Sequence, residues 1–347
     1  MSGISDNTLT LTRALKLVFQ EIRRPLADFL TLFWPAVRLY DTTEIPADTI
    51  VESRKIARYR EVNAGSNIFA FVPGKGVVYD PATLDESTPI TEELSRSVTA
   101  GLEANAPAQQ QIVEKTSQIQ RDHDAIFTAA IVKQAVDIMV TGKFQPTGKG
   151  GVNIGGPFDY DRDPANTIAA QADPIKALQD AWDQYKIKGG TQGNAFALIG
   201  PAVLSALEES DEFMDALKLQ GLYAGQSRLV GENRVVADII PGGFKIPGRA
   251  ARINLLSFDE AYEDESGALV PFMPAKGIVV SSLNAPRVRA YGGVYLINSS
   301  GSAQVMKGEI ISDSFWIKNP DGYILRSQSR PICVPGEIDH LVYASIT

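Results

Sequence analysis

The longest regular pattern of hydrophobic and polar positions in the chain predicts a helix over residues 105–141. Apolar side chains recur there at helical spacing, Asn105 can cap the N-terminus, and Pro107 suits the first turn. Gly142 follows where a left-handed residue commonly ends a helix. At about 1.5 Å per residue the helix would be a rod roughly 50 Å long. The predicted buried stripe comprises Ile112, Thr116, Ile119, His123, Ile126, Ala130, Val136 and Met139, widened by Phe127 and Ile131.

The N-terminal part of the chain consists of two short apolar stretches separated by prolines. Residues 7–24 place apolar side chains at helical spacing with basic residues between them, and Pro25 ends this amphipathic helix. A second apolar stretch, residues 29–34, ends at Pro35. An amphipathic segment at a terminus is typical of an arm that packs on a partner.

Residues 45–85 predict a long hairpin that is polar on both faces. Residues 49–62 and 67–72 resemble strands, and a turn at 63–66 joins them. Such a hairpin is marginal alone and normally lies on a neighbouring surface. Its cationic side chains either face solvent or pair with acids of a neighbouring subunit, such as Asp85–Glu86 or Glu92–Glu93. These cationic residues are Arg54, Lys55, Arg58, Arg60 and Lys75.

The remaining pattern is mixed. The glycine-rich stretch 142–156 predicts an exposed hairpin or loop. Asp173–Pro174 opens an amphipathic helix that Gly189–Gly190 closes. Helices and strands are largely segregated along the chain, which indicates the α+β class. The other predicted elements are a buried strand at 194–200, helices at 201–207 and 211–219, and strands at 234–240, 251–257, 277–281, 288–297, 309–318 and 323–329.

Composition limits the possible partners. A chain of 347 residues can bury two or so cores without disulfides, and its single cysteine, Cys333, is expected to be a small apolar residue of the interior. The net charge of −8 argues against a protein that grips DNA phosphates. The start of the chain lacks a signal-peptide layout, and no stretch has the roughly 20 apolar residues of a membrane span. We therefore expect synthesis and retention in the cytoplasm.

Catalytic chemistry finds little support among the histidines and glycines. There are only two histidines: His123 lies on the predicted helix stripe, and His340 lies near the C-terminus. No Gly-x-Ser-x-Gly elbow supplies a nucleophile. The run from Gly142 to Gly150 has the wrong spacing for a phosphate-binding loop and follows a helix instead of a strand.

Metal and carboxylate sites are similarly incomplete. Asp159–Asp163 begins like a calcium loop, but Pro164 and Ala170 occupy the positions that require glycine and a bidentate acid. One cysteine and two distant histidines cannot form a zinc site. We predict no enzyme activity, no cofactor and no metal. The alternative from this class is a soluble carboxylate-dependent enzyme that uses Asp159, Asp161 or Glu263, although no constellation is visible around them.

Five stretches, taken in order, resemble the major capsid proteins of phage-lambda type. The aromatic segment Phe-Leu-Thr-Leu-Phe-Trp within residues 26–40 is similar to that family's N-terminal stretch. Residues 76–81 resemble the return of its extended loop, and 126–144, ending Val-Thr-Gly-Lys-Phe, resemble the end of its long helix. Residues 276–292 and 324–346 are similar to its C-terminal third. No single motif is diagnostic, but order and spacing together are specific.

The resemblance implies the HK-ninety-seven-like capsid fold. Its parts would be an N-terminal arm at 1–44, an E-loop at 45–85, a P-domain at 86–172 and 305–347 that contains the long spine helix, and an A-domain at 173–304. In such shells the E-loop lies across the neighbouring subunit, which suits the basic hairpin.

The function implied is that of the major capsid protein of a tailed double-stranded-DNA bacteriophage. It would assemble with itself into hexamers and pentamers of an icosahedral procapsid in the host cytoplasm, and would remain in the virion around DNA that it does not bind sequence-specifically. A portal, a separate scaffolding protein (because the arm is short) and possible decoration proteins would be its partners. An encapsulin-type compartment shell is the alternative of the same fold.

Overall fold

The computed structural model describes residues 25–49, 75–91, 108–190, 194–219, 237–238, 243–249, 251–297, 303–318 and 321–347. The predicted helix at 7–24, the cap at 105–107, most of the strand at 234–240 and most of the arm of the basic hairpin lie outside these residues. Arg54, Lys55, Arg58 and Arg60 belong to that undescribed arm, whereas the backbone of Lys75 is described.

Prolines and an aspartate set the starts of the described helices. Asp173 caps one of them by accepting a hydrogen bond from the Ile175 amide at 2.9 Å. Pro25, which we expected only to end a helix, begins one, because proline suits the first helical position. The helices predicted at 105–141, 173–188, 201–207 and 211–219 are confirmed. The helices are α1 Pro25–Phe33, α2 Ala108–Thr141, α3 Pro174–Ile187, α4 Pro201–Glu209 and α5 Asp211–Leu219.

Most strands are short and lie between turns. The strands are β1 Ala36–Leu39, β2 Ile45–Thr49, β3 Lys75–Tyr79, β4 Leu84–Thr91, β5 Lys143–Phe144, β6 Phe158–Asp159, β7 Ala195–Ile199, β8 Ala237–Asp238, β9 Phe244–Lys245, β10 Arg252–Ser257, β11 Ala261–Glu263, β12 Leu269–Pro271, β13 Gly277–Ser282, β14 Arg287–Tyr291, β15 Val294–Ile297, β16 Ala303–Met306, β17 Ile311–Lys318, β18 Asp321–Ser329, β19 Pro331–Pro335 and β20 Val342–Ser345.

A six-stranded sheet forms the centre of the fold. Its order is β20-β13-β7-β10-β8, with β9 also paired to β10. The described strands also form two three-stranded sheets, β1-β14-β19 and β17-β18-β4, and four two-stranded antiparallel pairs, β2–β3, β5–β6, β11–β12 and β15–β16. Strand β20 comes from segment 305–347 and pairs with β13 from segment 173–304, so the two segments share one sheet. The domain boundaries drawn from the sequence remain predictions.

The central sheet separates two hydrophobic cores. Successive side chains of a strand point to opposite faces. Accordingly Phe196 and Leu198 of β7 pack in a core with α1 and α2, while Ala197 and Ile199 pack in a core with α3, α4 and α5. This explains the uninterrupted apolar sequence of β7, since a strand buried on both faces needs no polar side.

Helix α2 buries most of the predicted stripe, with one correction. His123, Phe127, Ile131 and Met139 are buried, but Ile126 is 49% exposed. Residues at i and i+4 lie on one face of a helix, so the row that contains His123, Phe127 and Ile131 turns toward the core. Ile126 lies about 100° away from that row.

The predicted single strand at 288–297 is wrong, because β14 and β15 belong to different sheets. Gly292 and Gly293 separate them. A Cβ at Gly293 would lie 2.4 Å from a Val305 side-chain carbon, and one at Gly292 would lie 2.9 Å from the Thr43 carbonyl oxygen. The close approach of these segments requires glycine, and the chain changes sheets at this point.

Candidate assembly surfaces

The base of the basic hairpin is fixed to the body of the protein. Strands β2 and β3 pair antiparallel with Thr49 opposite Lys75, so residues 50–74 leave and return at adjacent positions. At the other end of the pair, Ile45 lies opposite Tyr79 and both are buried. The Tyr79 ring lies 5.6 Å from the Tyr160 ring, beside the end of α2. The Ile45–Tyr79 end of the two strands is therefore packed into the core.

The long sheet β17-β18-β4 is joined to α2 through His123. One ring nitrogen of His123 lies 2.9 Å from the Thr88 hydroxyl of β4, and the other lies 2.9 Å from the Ser327 hydroxyl of β18. Ser327 also contacts the Ser312 hydroxyl of β17 at 2.9 Å. His123 is only 3% exposed, which confirms the prediction that it contacts the interior.

Two arginines of β14 hold the C-terminal end of α1. Arg289 donates to the Trp34 carbonyl at 2.9 Å, and Arg287 donates to the Phe33 carbonyl at 3.4 Å and to the Ser281 hydroxyl at 2.5 Å. Cations are stabilising at this end of a helix because the last carbonyls point outward. Burial lowers the pKa of Arg287 to about 10, so the side chain remains charged at neutral pH.

The glycine-rich stretch forms the predicted exposed hairpin, and its tip contacts a second hairpin. Strands β5 and β6 pair at its root, and Gly150 lies at its tip with a φ of 77°. The Gly150 amide donates to both carboxylate oxygens of Glu265, at 2.9 and 2.8 Å. Glu265 lies in the turn between β11 and β12, so the two hairpins meet at their tips.

The carboxylates considered for catalysis have structural partners or lie apart. Asp159 and Lys143 form an ion pair at 2.6 Å, and this contact is the largest cause of the lowered pKa of Asp159. Asp161 has a φ of 53° in the loop that follows, and Glu263 is exposed on β11. A shallow cavity of about 470 Å³ near Asp159 is also lined by Arg162, whose guanidinium donates to carbonyls at the end of α2.

Neither Cys333 nor any cluster of metal-binding residue types forms a reactive site in the described part of the chain. Cys333 is fully buried, and burial raises the pKa of its thiol to about 12, as expected of an interior cysteine. Among the described residues, no group of three or more His, Cys, Asp or Glu side chains could hold a metal ion. In the described part of the chain, no helix is long and apolar enough to cross a bilayer.

A family model described as phage major capsid protein E matches residues 11–346, nearly the whole chain. The chain belongs to this family. It is therefore the major capsid protein of a phage head, a structural protein of the virion. The match favours this function over the encapsulin alternative. Comparison with curated proteins finds no significant match.

Solved structures show the fold of this capsid protein. A crystal structure of a protein assigned to the capsid of an E. coli CFT073 prophage aligns with a TM-score of 0.62 at 17% identity, over 96% of this chain and 98% of that chain. The HK-ninety-seven-like fold predicted from the sequence is confirmed. A phage-related protein of Bordetella bronchiseptica RB50 aligns at 9% identity with a TM-score of 0.49, over 91% and 90% of the two chains. The capsid of cyanophage P-SCSP1u aligns at 10% identity with a TM-score of 0.48, over 90% and 86%.

The residues expected to contact a neighbouring subunit remain predictions, because four of the five lie outside the described residues and only the backbone of Lys75 is described. Sequence reasoning missed the contact of Glu265 with Gly150 and the arginines that hold α1. The acidic run from Asp259 to Glu265 was a visible signal for the first. The second had no local signal, since Arg287 and Phe33 are far apart in sequence.

Proposed function

We propose that this capsid protein forms the hexamers and pentamers of the icosahedral head of a tailed double-stranded-DNA bacteriophage. The observation that carries the proposal is the family match over residues 11–346. The pairing of β2 with β3 adds support, because the 25 residues between the two strands begin and end at adjacent positions. Closed symmetry then multiplies a modest contact between neighbours into a stable shell.

The basic hairpin is the proposed contact between subunits, with Arg54, Lys55, Arg58, Arg60 and Lys75 facing acids of a neighbour. The net charge of −8 supports this assignment, since the chain concentrates cations in one segment and carries an acidic surplus elsewhere. Complementary charge steers association and fixes its register.

The parts of the subunit and its other partners follow from the same proposal. Residues 1–44 act as the N-terminal arm and 45–85 as the E-loop. Residues 86–172 with 305–347 form the P-domain, and 173–304 form the A-domain. A portal, a scaffolding protein and possible decoration proteins complete the head, which assembles in the host cytoplasm. The acidic chain encloses DNA without reading its sequence.

Expression of the chain alone and with its genomic neighbours, followed by negative-stain microscopy, tests the proposal. Uniform shells or capsomers support it, and a persistent monomer in the presence of the neighbouring gene products overturns it. Replacing Arg54, Lys55, Arg58 and Arg60 together with Ala should leave a folded subunit that assembles poorly at low salt. Its deficit relative to the wild type should shrink at high salt, because salt screens the same charges in the wild type. An unfolded subunit in that variant would mean that the cluster belongs to the core.

A further inference from the structure

The β11–β12 hairpin presents an outward face that nothing in the described structure covers. Its inner face is fixed to the body: the Tyr262 ring lies 5.0 Å from the Phe272 ring, and the Lys133 ammonium of α2 lies 5.9 Å from the Tyr262 centroid. The outer face is exposed and combines three apolar side chains with one carboxylate. Its Leu269 side chain is 76% exposed. Its residues are Ala261, Glu263, Leu269 and Pro271.

The acids around this face divide into two groups. Asp264 accepts hydrogen bonds from the Ser266 and Ala268 amides at 2.8 and 2.9 Å, which shapes the turn, and Glu265 binds the tip of the glycine-rich hairpin. Asp259, Glu260 and Glu263 have no such role. Within the part of the chain that the structure describes, none of these five carboxylates is in an ion pair. Burial, and to a smaller extent the neighbouring charge of Asp259, raise the pKa of Glu260.

The chain itself carries a segment of opposite charge. The seven residues from Arg54 to Arg60 hold four cations, with Ile56 and Tyr59 between them. This segment lies within the 25 residues that leave at Thr49 and return at Lys75. At about 3.3 Å per extended residue, half of a connection of this length can span at most roughly 40 Å. Its length therefore permits contact with a second copy of the chain.

We propose that the outward face of the β11–β12 hairpin is the docking surface for residues 54–60 of a second copy of this chain. The cations of that copy lie against Asp259, Glu260 and Glu263, and its apolar side chains cover Leu269. The inference rests on the proposed shell function and names the partner surface of the basic hairpin. A chain that carries both halves of a complementary pair can make a heterologous contact, which generates a ring where the rotation between copies closes.

Cysteine crosslinking distinguishes a second copy from the same copy. In Ala57→Cys/Glu263→Cys subunits assembled into particles, a short bis-maleimide should join chains into a ladder of multimers on a denaturing gel. Cys333 does not interfere, because it is fully buried. The single variants are the controls and should stay monomeric. An internally crosslinked monomer, or no crosslink in intact particles, would overturn the docking.

A charge swap tests the electrostatic part of the inference. Asp259→Lys/Glu263→Lys should lower the yield of assembled particles by about tenfold, and Arg54→Glu/Arg58→Glu in the same chain should restore it. Glu208→Lys/Glu209→Lys changes the net charge equally at two exposed positions of α4 and should assemble normally. Normal assembly of the Asp259→Lys/Glu263→Lys variant would refute the docking surface and leave the shell function intact.

Discussion

His123 joins the long helix to the sheet that flanks it, and its two ring nitrogens both contact hydroxyls at 2.9 Å. We predict that His123→Leu lowers the free energy of unfolding of the isolated subunit by about 1–3 kcal/mol, because the buried Ser327 hydroxyl and the half-buried Thr88 hydroxyl each lose a hydrogen bond. Urea unfolding measures the effect. Ile126→Ala on the exposed side of the same helix is the control, and we expect a change of about 0.5 kcal/mol or less. Equal stability of His123→Leu and the wild type would contradict this role.

Gly142 ends α2 with a φ of 74°, and a Cβ there would lie 2.7 Å from the Arg162 Cβ. Gly142→Ala should therefore incur both backbone strain and a clash with the side chain that binds the last helical carbonyls. Gly155→Ala is a matched control, since Gly155 has a φ of 72° and open space around it. We expect a loss of about 1 kcal/mol in the control and clearly more at Gly142. Thermal unfolding of the two variants measures the difference. Equal losses of stability would show that the Arg162 side chain moves aside at little cost.

At the scale of elements, Arg287 and Arg289 fix α1 to the body by binding the carbonyls of Phe33 and Trp34. Arg287→Met keeps much of the volume but removes a charged donor worth about 1.5–3 kcal/mol. We expect chymotrypsin to cut at Phe29 or Phe33 about tenfold faster in this variant, through local opening of α1.

Arg38→Met on the exposed strand β1 is the control for that experiment and should digest at the wild-type rate. Cleavage that is equally slow in Arg287→Met would mean that aromatic packing alone holds α1. The Phe29 ring, 4.7 Å from the Phe258 ring, provides that packing.

Elements with a strong local pattern were predictable, and those defined by distant partners were not. The helix Pro174–Ile187 has its cap, its apolar face and its closing glycines in one stretch of sequence. Strand β19 begins and ends with proline, which argues against a strand, yet it forms an edge of the β1-β14-β19 sheet where proline is tolerated. Strands β11 and β12 have three residues each, too few for a period of two to be visible.

At the scale of the whole molecule, the fold class could be predicted from the order of the elements. The contacts that fix one element on another could not. His123 and Ser327 are 204 residues apart, and Gly150 and Glu265 are 115 apart, so no local pattern connects them. The charged segment could be predicted only in part. The surplus of cations at 54–60 is visible in the sequence, but the surface proposed to bind this segment forms only when β11 and β12 pair.

A cryo-electron microscopy reconstruction of particles assembled from this chain tests the shell function most directly. We expect a closed icosahedral wall built of hexamers and pentamers of this one chain, with the Ala108–Thr141 helix resolved in every subunit. Small soluble oligomers that never close, or particles whose wall is made of another protein, would contradict it.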